Sequence, residues 1–295
     1  MKKGFTLIEI ILVIAISGIL AVGTFKALGA LYTRSAEAKA ATKMSIRSQI
    51  VLDQLSYMLY DRIPQSVIGY DGSSSCKALS DITSSGYVVL EWLENDISDY
   101  RAKKFSGFVD MKKSTKPNLD TNISSSISDD DKNLIFSGAF DYGDEAIKAC
   151  EGAFGWHGHD SNLSYDINIT QNNIEINDTV KKPDYIYEKY FLTDGAYAVA
   201  RGKDIDTSAT CIQNLNISSK DIDDTLFLFY GYHPWKGKTY CADKSGNGEG
   251  NASILTQHVK GFEAEMVDFT IRISIDMQKN VGGKIVHISK QKVVF

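Results

Sequence analysis

Residues 1–21 read Met-Lys-Lys-Gly-Phe-Thr-Leu-Ile-Glu-Ile-Ile-Leu-Val-Ile-Ala-Ile-Ser-Gly-Ile-Leu-Ala, and a single carboxylate, Glu9, lies inside this apolar run. The run continues to Leu28, and about 20 residues at a rise of about 1.5 Å match a hydrocarbon core of roughly 30 Å. An ionised side chain at membrane depth costs roughly 2.5 to 3.5 kcal/mol, so it is normally found with a partner. The stretch predicts a membrane-spanning helix whose one acidic group needs a cation.

The basic residues of the amino terminus give an orientation. Lys2 and Lys3 precede the apolar run, and no basic cluster of equal density follows it directly. The positive-inside rule then keeps the extreme amino terminus in the cytoplasm. Everything after about Ala30 is expected on the other side of the membrane.

The segment differs from an ordinary secretory signal, whose cleavage site follows the apolar stretch. Here the best cutting point lies between Gly4 and Phe5, ahead of the run. Cleavage there would remove residues 1–4 as a leader and leave the hydrophobic helix on the mature protein. A plain signal anchor, whose Glu9 reaches back to the membrane interface, is the alternative interpretation.

The string Lys2-Lys3-Gly4-Phe5-Thr6-Leu7-Ile8-Glu9 resembles the processing motif of type IV prepilins and type II secretion pseudopilins. The resemblance implies cleavage by a prepilin peptidase, methylation of the new Phe5 amine, and lateral packing of such helices into a filament core. It also implies a single-pass inner-membrane protein with its head in the periplasm. Its implied partners are other pilin or pseudopilin subunits and an inner-membrane assembly platform.

The chemistry of the motif agrees with that implication. Once the leader is removed, the Phe5 amine is a cation at the start of a helix, and Glu9 lies one turn away on the same face. Between neighbouring subunits, the Glu9 carboxylate can take the Phe5 amine of the next copy, which pairs two buried charges and sets the axial register. Phe5 and Glu9 are therefore the predicted assembly residues.

One long helix is predicted over residues 5–63, with 5–28 as its transmembrane or filament-core part. No proline occurs before Pro64, and the segment after Leu28 is rich in strong helix formers. Apolar residues at spacings of mostly three to four predict a stripe that packs on a folded domain. These residues are Ile46, Ile50, Leu52, Leu55, Leu59 and Ile63.

Residues 64–295 are expected to form one mainly β head. Apolar and polar residues alternate in 269–277 and again in 284–289, with two glycines between them, which predicts an antiparallel hairpin. Further predicted strands are 185–192, 196–201, 225–232 and 260–267, whereas the polar segment 112–132 predicts an exposed loop. The expected fold class is α+β: a pilin-like lollipop with a long amino-terminal helix packed on a mainly antiparallel sheet.

The cysteines predict disulfides. Cys76, Cys150, Cys211 and Cys241 lie in the exported part, and an even number in an oxidising compartment indicates two bridges. Closing the shorter loops favours Cys76 with Cys150 and Cys211 with Cys241, and buried free thiols are the alternative. No Cys-x-x-Cys pair is present to indicate a zinc ribbon or a redox site.

Two segments carry groups that metals bind. Asp243, Ser245, Asn247 and Glu249 alternate around glycines as in flexible calcium loops, but the twelfth position of an EF-hand is not a glutamate here, and a polar turn is favoured. In residues 156–160, two imidazoles and one carboxylate are interpreted as a solvated turn rather than a metal site. No cofactor is expected, and calcium is the one weak candidate.

Charge and motifs limit the remaining function classes. A net charge of -5 and a pI near 5.6 leave no electrostatic footprint for nucleic acid over the whole chain. Filaments of the superfamily include DNA-uptake machines, so a local contact with DNA stays open. No Gly-x-Ser-x-Gly, His-Glu-x-x-His or Walker motif is present, so an enzyme is not expected.

The expected function is that of a minor pilin or pseudopilin, a non-enzymatic subunit that acts in filament assembly or at the filament tip. The large head favours low copy number, because heads of this bulk would crowd one another along a shaft. The alternative is a membrane-anchored periplasmic binding or enzymatic domain that uses its helix only as an anchor. Within the favoured class, type II secretion, adhesive or motile pili and DNA uptake in competence remain open.

Overall fold

The chain folds as one long helix joined to a head built mostly of β-strands. The computed structural model describes residues 6–83, 86–95, 107–121, 132–140, 149–170, 173–177, 181–267 and 270–295. Within these residues, every sheet with three or more strands is antiparallel. The expected α+β lollipop is confirmed.

Helix α1 spans Leu7–Tyr60. Its second half, residues 32–60, is called here the outer half, and it packs against the head; residues 7–31 are the inner half. The helix ends ahead of the predicted end at Ile63. By that point the chain has turned toward the sheet, since the Ile63 N–H donates to the Leu93 carbonyl at 3.1 Å. Pro64 then begins a short 3-10 turn, which cannot continue the helix because proline lacks the N–H. The other α-helix of the described chain, α2, is the single turn Thr210–Gln213.

The buried stripe of α1 differs from the predicted one. Its buried members are Met44, Ser48, Val51, Leu52, Leu55 and Leu59. The prediction was wrong for Ile46 and Ile50, which are 55% and 59% exposed. Residues two positions apart in an α-helix point about 200° apart, so Ile46 and Ile50 point away from the face that Met44 and Ser48 form. None of the buried residues of α1 is an isoleucine.

Three sheets form most of the head. The first contains, in spatial order, β14 (Asn251–Thr256), β11 (Leu226–Tyr232), β10 (Ala196–Arg201), β3 (Val89–Leu93), β1 (Ile68–Tyr70) and β2 (Cys76–Ala78). The second contains β4 (Gly107–Phe108), β9 (Lys189–Thr193), β6 (Asn133–Phe136), β7 (Tyr165–Thr170), β8 (Asn173–Ile176) and β5 (Asn118–Asp120). The third contains β15 (Val259–Val267), β16 (Thr270–Val281) and β17 (Lys284–Val294). A short parallel pair, β12 (Thr239–Tyr240) and β13 (Gly248–Glu249), lies beside them.

The hairpin of β16 and β17 is the platform on which α1 packs. Val281 pairs with Lys284, and the turn between them holds Gly282 at φ 60° and Gly283 at φ 85°. A two-residue hairpin turn with both central residues in the left-handed region strongly prefers glycine. Four alternating residues of β16 are fully buried in the apolar core shared with the α1 stripe: Ile271, Ile273, Ile275 and Met277. The alternation predicted for this strand is confirmed.

The polar segment 112–132 is only partly described. Residues 122–131 lie outside the described residues. Within the rest, the loop prediction was wrong for Asn118–Asp120, which form an edge strand against β8. Leu119 is fully buried with Ile174 and Leu134, so one apolar side chain in a polar run is enough to hold this strand on the second sheet.

The first sheet separates two apolar cores. Along β11, Leu226 and Leu228 belong to the core that contains the helix stripe, whereas Phe227 and Phe229 belong to the core on the opposite face. This alternation is the period of two expected for a strand buried on both faces. The second of these cores holds the disulfides and the polar cluster described below.

Two disulfides close the loops of that second core. Cys76 is bonded to Cys150, and Cys211 is bonded to Cys241. The first bridge ties β2 to the segment before β7, and the second ties α2 to the end of β12. This is the pairing that closure of the shorter loops favoured.

Candidate functional site

The first half of α1 is an apolar surface that the rest of the described chain leaves uncovered. Its large apolar side chains are 50% to 79% exposed between Leu7 and Leu31. The helix is long and apolar enough to cross a membrane, and none of its apolar window is buried. Water-soluble surfaces rarely present a continuous apolar patch of this extent, so lipid or other protein must cover it. This surface is consistent with a membrane anchor.

Glu9 lies in the first turn of this exposed helix. Its Oε2 accepts hydrogen bonds from the Thr6 backbone N–H at 2.8 Å and from the Thr6 hydroxyl at 2.9 Å, while Thr6 Oγ1 accepts the Glu9 N–H at 3.4 Å. This capping box satisfies orphan donors of the helix but brings no positive side chain to the carboxylate. Among the residues that the structure describes, none forms an ion pair with Glu9.

The predicted processing residues precede the described chain. Gly4 and Phe5 lie outside the described residues, so the contact between the Phe5 amine and Glu9 stays a prediction. The structure does place Thr6 and Glu9 one helical turn apart with their polar atoms in contact. A cation that reached Glu9 would have to share its carboxylate with this cap or displace it.

A second group of ionisable residues lies inside the head and joins positions that the sequence analysis did not connect. Glu91 on β3 is fully buried, and Nε2 of His157 lies 2.6 Å from its Oε1. Nδ1 of the same imidazole lies 3.5 Å from Oδ2 of Asp243. The side chain of His157 is only 7% exposed. One imidazole therefore lies between two buried carboxylates.

Hydroxyl groups complete this ion cluster. Tyr232 donates to Oε2 of Glu91 at 2.6 Å, and Ser245 donates to Oδ2 of Asp243 at 2.6 Å. Tyr70 stacks on the His157 ring with centroids 3.5 Å apart. A buried ion pair is stabilised when its remaining polar atoms also have partners. These contacts engage the carboxylate oxygens, whereas Nδ1 of His157 makes only the 3.5 Å contact with Asp243 and no hydrogen bond.

A strained turn carries His157 into the core. Gly155 has φ 82°, and a Cβ on it would lie 2.4 Å from the Pro234 carbonyl oxygen, so both conformation and space call for glycine. The backbone of His157 is itself in the left-handed region at φ 49°. Trp156, buried between them, anchors the turn. The interpretation of residues 156–160 as a solvated turn was wrong for His157.

The charges of the cluster follow from its contacts. Burial lowers the pKa of His157, but Glu91 and Asp243 outweigh that effect and raise it to about 9. Burial also opposes ionisation of Asp243, yet His157 and Ser245 hold the pKa of this carboxyl below its usual range. Burial and the charge of Glu91 raise the pKa of Tyr232 far above that of a free phenol. At neutral pH the imidazole is positive and the tyrosine is neutral.

The calcium candidates do not share one open site. Asp243 is buried against His157, whereas Oε2 of Glu249 lies 2.8 Å from Nδ1 of His233 and accepts the His233 backbone N–H at 3.2 Å. The Ser245 hydroxyl is used by Asp243. The two carboxylates are thus held by different histidines, and the geometry favours the polar turn over a calcium loop.

One further group has metal-ligand spacing. Atoms of Cys76, Cys150 and His159 lie within 4.8 Å of one another. The two cysteines are joined in a disulfide, so they are not thiolate ligands. No cofactor is indicated by the described residues.

Comparison with known proteins bears on the amino terminus alone. Residues 1–25 match the model of the prokaryotic N-terminal methylation motif. No curated protein and no solved structure matches the chain. The match supports the resemblance of the string around Glu9 to the processing motif of type IV prepilins and pseudopilins.

Proposed function

We propose that this protein is a minor pilin or pseudopilin, a non-enzymatic subunit of a type IV pilus or of a type II secretion filament. The observation that carries the proposal is the combination of a methylation motif with an uncovered apolar helix whose one carboxylate has no positive partner among the described residues. Neighbouring helices of the same kind would supply both the apolar cover and the missing cation.

The proposed path from precursor to filament follows from the motif. A prepilin peptidase removes residues 1–4, the Phe5 amine is methylated, and residues 5–28 hold the chain in the inner membrane with its head, residues 64–295, in the periplasm. The chain is then transferred from the membrane into a filament, where its helix packs laterally against other helices. An inner-membrane assembly platform is its partner in this step. Glu9 of one subunit meets the Phe5 amine of another, which fixes the axial position of each helix.

The size of the head supports a minor role. The described head contains two six-stranded sheets and a three-stranded sheet, and it is joined to a single long helix. Because filament helices pack side by side at distances near 10 Å, heads of this bulk would crowd if every subunit carried one. A low copy number and a place at the tip fit this geometry.

A second candidate function is a membrane-anchored periplasmic domain that never enters a filament. Substitution of Glu9→Ala separates the two, because an anchor needs only apolar length, whereas assembly needs the carboxylate. Leaving one buried charge without its partner costs about 3 to 5 kcal/mol, or on the order of 100-fold or more in assembly. We expect the variant to insert and to be processed normally, yet to be depleted from sheared filaments to that extent.

The matched control is Ser17→Ala, a polar-to-alanine change in the same exposed helix. It should enter filaments like the unaltered chain. Equal recovery of Glu9→Ala and the unaltered chain in filaments would contradict the role in assembly proposed for Glu9. Absence of the unaltered chain from filaments would contradict the subunit function and favour the anchored domain.

A further inference from the structure

The outer half of α1 carries a row of exposed basic side chains. The row lies along a shallow groove and is called here the basic face: Ser35, Lys39, Thr42, Lys43, Ile46 and Arg47. Every one of these residues is exposed. Lys39, Lys43 and Arg47 follow one another at intervals of four, so their side chains lie above one another on the helix.

None of the described acidic residues forms an ion pair with these three cations. The two acidic residues of the outer helix, Glu37 and Asp53, are already paired with Lys284 and Lys292 of β17, at 3.1 and 2.5 Å. In the part of the chain that the structure describes, no hydrogen bond or ion pair engages the side chains of the three cations. The basic face is therefore available to something outside the chain.

The geometry of the helix argues against lipid headgroups as that partner. At about 1.5 Å per residue, Lys39 lies about 12 Å beyond Leu31, where the exposed apolar stretch ends, and Arg47 about 24 Å beyond it. The headgroup layer adds only about 5 to 8 Å on each side of the hydrocarbon core. The row runs away from the membrane and passes out of that layer near its start.

Charge and composition favour an acidic protein surface. Residues 61–295 hold 25 basic and 34 acidic residues, whereas the helical residues 5–60 hold 5 basic and 3 acidic ones. A neighbour built like this chain, anchored in the same membrane, would bring a negative head beside a positive helix. Ile46, 55% exposed among the cations, suits a protein surface with apolar groups better than a phosphate backbone.

We propose that the basic face docks the carboxylate-rich head of an adjacent filament subunit. The inference rests on the proposed filament function and adds the surface that orients the subunit among its neighbours. Glu9 fixes the axial position of the helix, and the basic face fixes which side of the helix meets the next head. Complementary charge of this kind gives an interface register and specificity more than raw affinity.

The test uses the full-length chain in its own cells, with the native copy deleted. The triple variant Lys39→Glu, Lys43→Glu, Arg47→Glu reverses the basic face. The matched control Lys203→Glu, Lys220→Glu, Lys238→Glu makes the same change of charge at exposed positions of the head. The readout is the ratio of the chain in sheared filaments to the chain left in the membrane. We expect the basic-face variant to fall at least tenfold and the control to stay within twofold of the unaltered chain.

Two further arms separate the explanations. The milder Lys39→Gln, Lys43→Gln, Arg47→Gln variant should lose incorporation to a smaller extent, and each variant is first checked for intact disulfides and an unchanged melting temperature in detergent. Glu9→Ala is run in parallel. Loss with Glu9→Ala but normal incorporation of the reversed basic face would overturn the docking proposal and leave the filament function standing. Absence of the unaltered chain from sheared filaments would remove the filament function, and the docking proposal with it.

A photo-crosslinking side chain at Thr42, in the middle of the basic face, identifies the occupant. We expect ultraviolet light to join it to an acidic peptide in the head of a subunit that also carries the prepilin motif. Adducts confined to lipid, to nucleic acid or to a protein without that motif would contradict the proposal. The same crosslinker at Ser208, exposed on the head, is the control and should not give the same adduct.

Discussion

Two carboxylates of this chain lie in apolar surroundings, and they differ in the partners that stabilise their negative charge. Glu91, fully buried in the head, has the His157 imidazole at 2.6 Å and the Tyr232 hydroxyl at 2.6 Å. Glu9, on the apolar half of α1, has only the hydroxyl and the backbone N–H of Thr6. Glu91 thus has a cation within its own chain, whereas Glu9 has none among the residues that the structure describes.

The same contrast holds for apolar groups. Leu55, on the outer half of α1, is fully buried in the core that the helix shares with the third sheet, while Leu12, on the inner half, is 59% exposed. The outer half of the helix thus packs within the folded head, whereas its inner half is exposed and can be covered only by other molecules. A protein with this division is expected to fold as a monomer and to function only where something covers residues 7–31.

The largest expected effect is at the ion cluster. His157→Ala leaves two buried carboxylates without their cation, and breaking a buried ion pair in this way costs about 3 to 5 kcal/mol. Chemical unfolding of the full chain in detergent, followed by tryptophan fluorescence, measures the loss. His159→Ala, in the same turn but exposed, is the control and should change the free energy of unfolding by less than about 0.5 kcal/mol. Equal stability of both variants would show that Glu91 needs no partner and would remove the contrast with Glu9.

The next effect compares the two halves of the helix. Leu55→Ala removes a fully buried side chain from the core, which costs about 2 to 5 kcal/mol. Leu12→Ala, in the same unfolding measurement, should cost less than about 0.5 kcal/mol because its side chain has no core to leave. A large loss from Leu12→Ala would mean that the inner half packs on the head, contrary to the structure.

A smaller effect is expected with pH. The pKa of His157 is raised to about 9 in the folded chain from an ordinary value of 6.5, so its stabilisation is fully present below pH 6.5 and is lost as the pH rises through 9. The melting temperature in detergent should fall across this window, by an amount that corresponds to at most about 3 kcal/mol. In His157→Gln the fall should disappear. A fall of the same size in that variant would assign it to other groups.

How far the sequence predicts this structure depends on how local each signal is. The hairpin of β16 and β17 is indicated by alternating apolar and polar residues and by the Gly282-Gly283 turn. The structure has this hairpin where it was predicted. The α1 stripe was predicted as a stripe but not with the right members, because periodicity alone does not say which of two possible faces meets the sheet. Ile46 and Ile50 fit the spacing and still face outward.

The ion cluster could not be predicted in the same way. His157 and Glu91 are 66 positions apart, and Tyr232 and Glu91 are 141 apart, so no local pattern joins them. The imidazoles of residues 156–160 were noticed in the sequence, but the glycines around His157 only permit a tight turn and do not show that the turn faces inward. Asp243 was visible as an acidic residue, but its partner was not.

The central claim is that Glu9 forms an ion pair with the Phe5 amine of a neighbouring subunit from which residues 1–4 have been removed. The position of the mature amino terminus tests this claim most directly. Mass spectrometry of the amino-terminal peptide, from chain purified out of its own membranes, shows where the polypeptide begins. We predict a chain that starts at Phe5 with a methylated amine, and retention of residues 1–4 when the prepilin peptidase is deleted. A mature chain that keeps residues 1–4 in normal cells, or that begins beyond Glu9, would contradict the account.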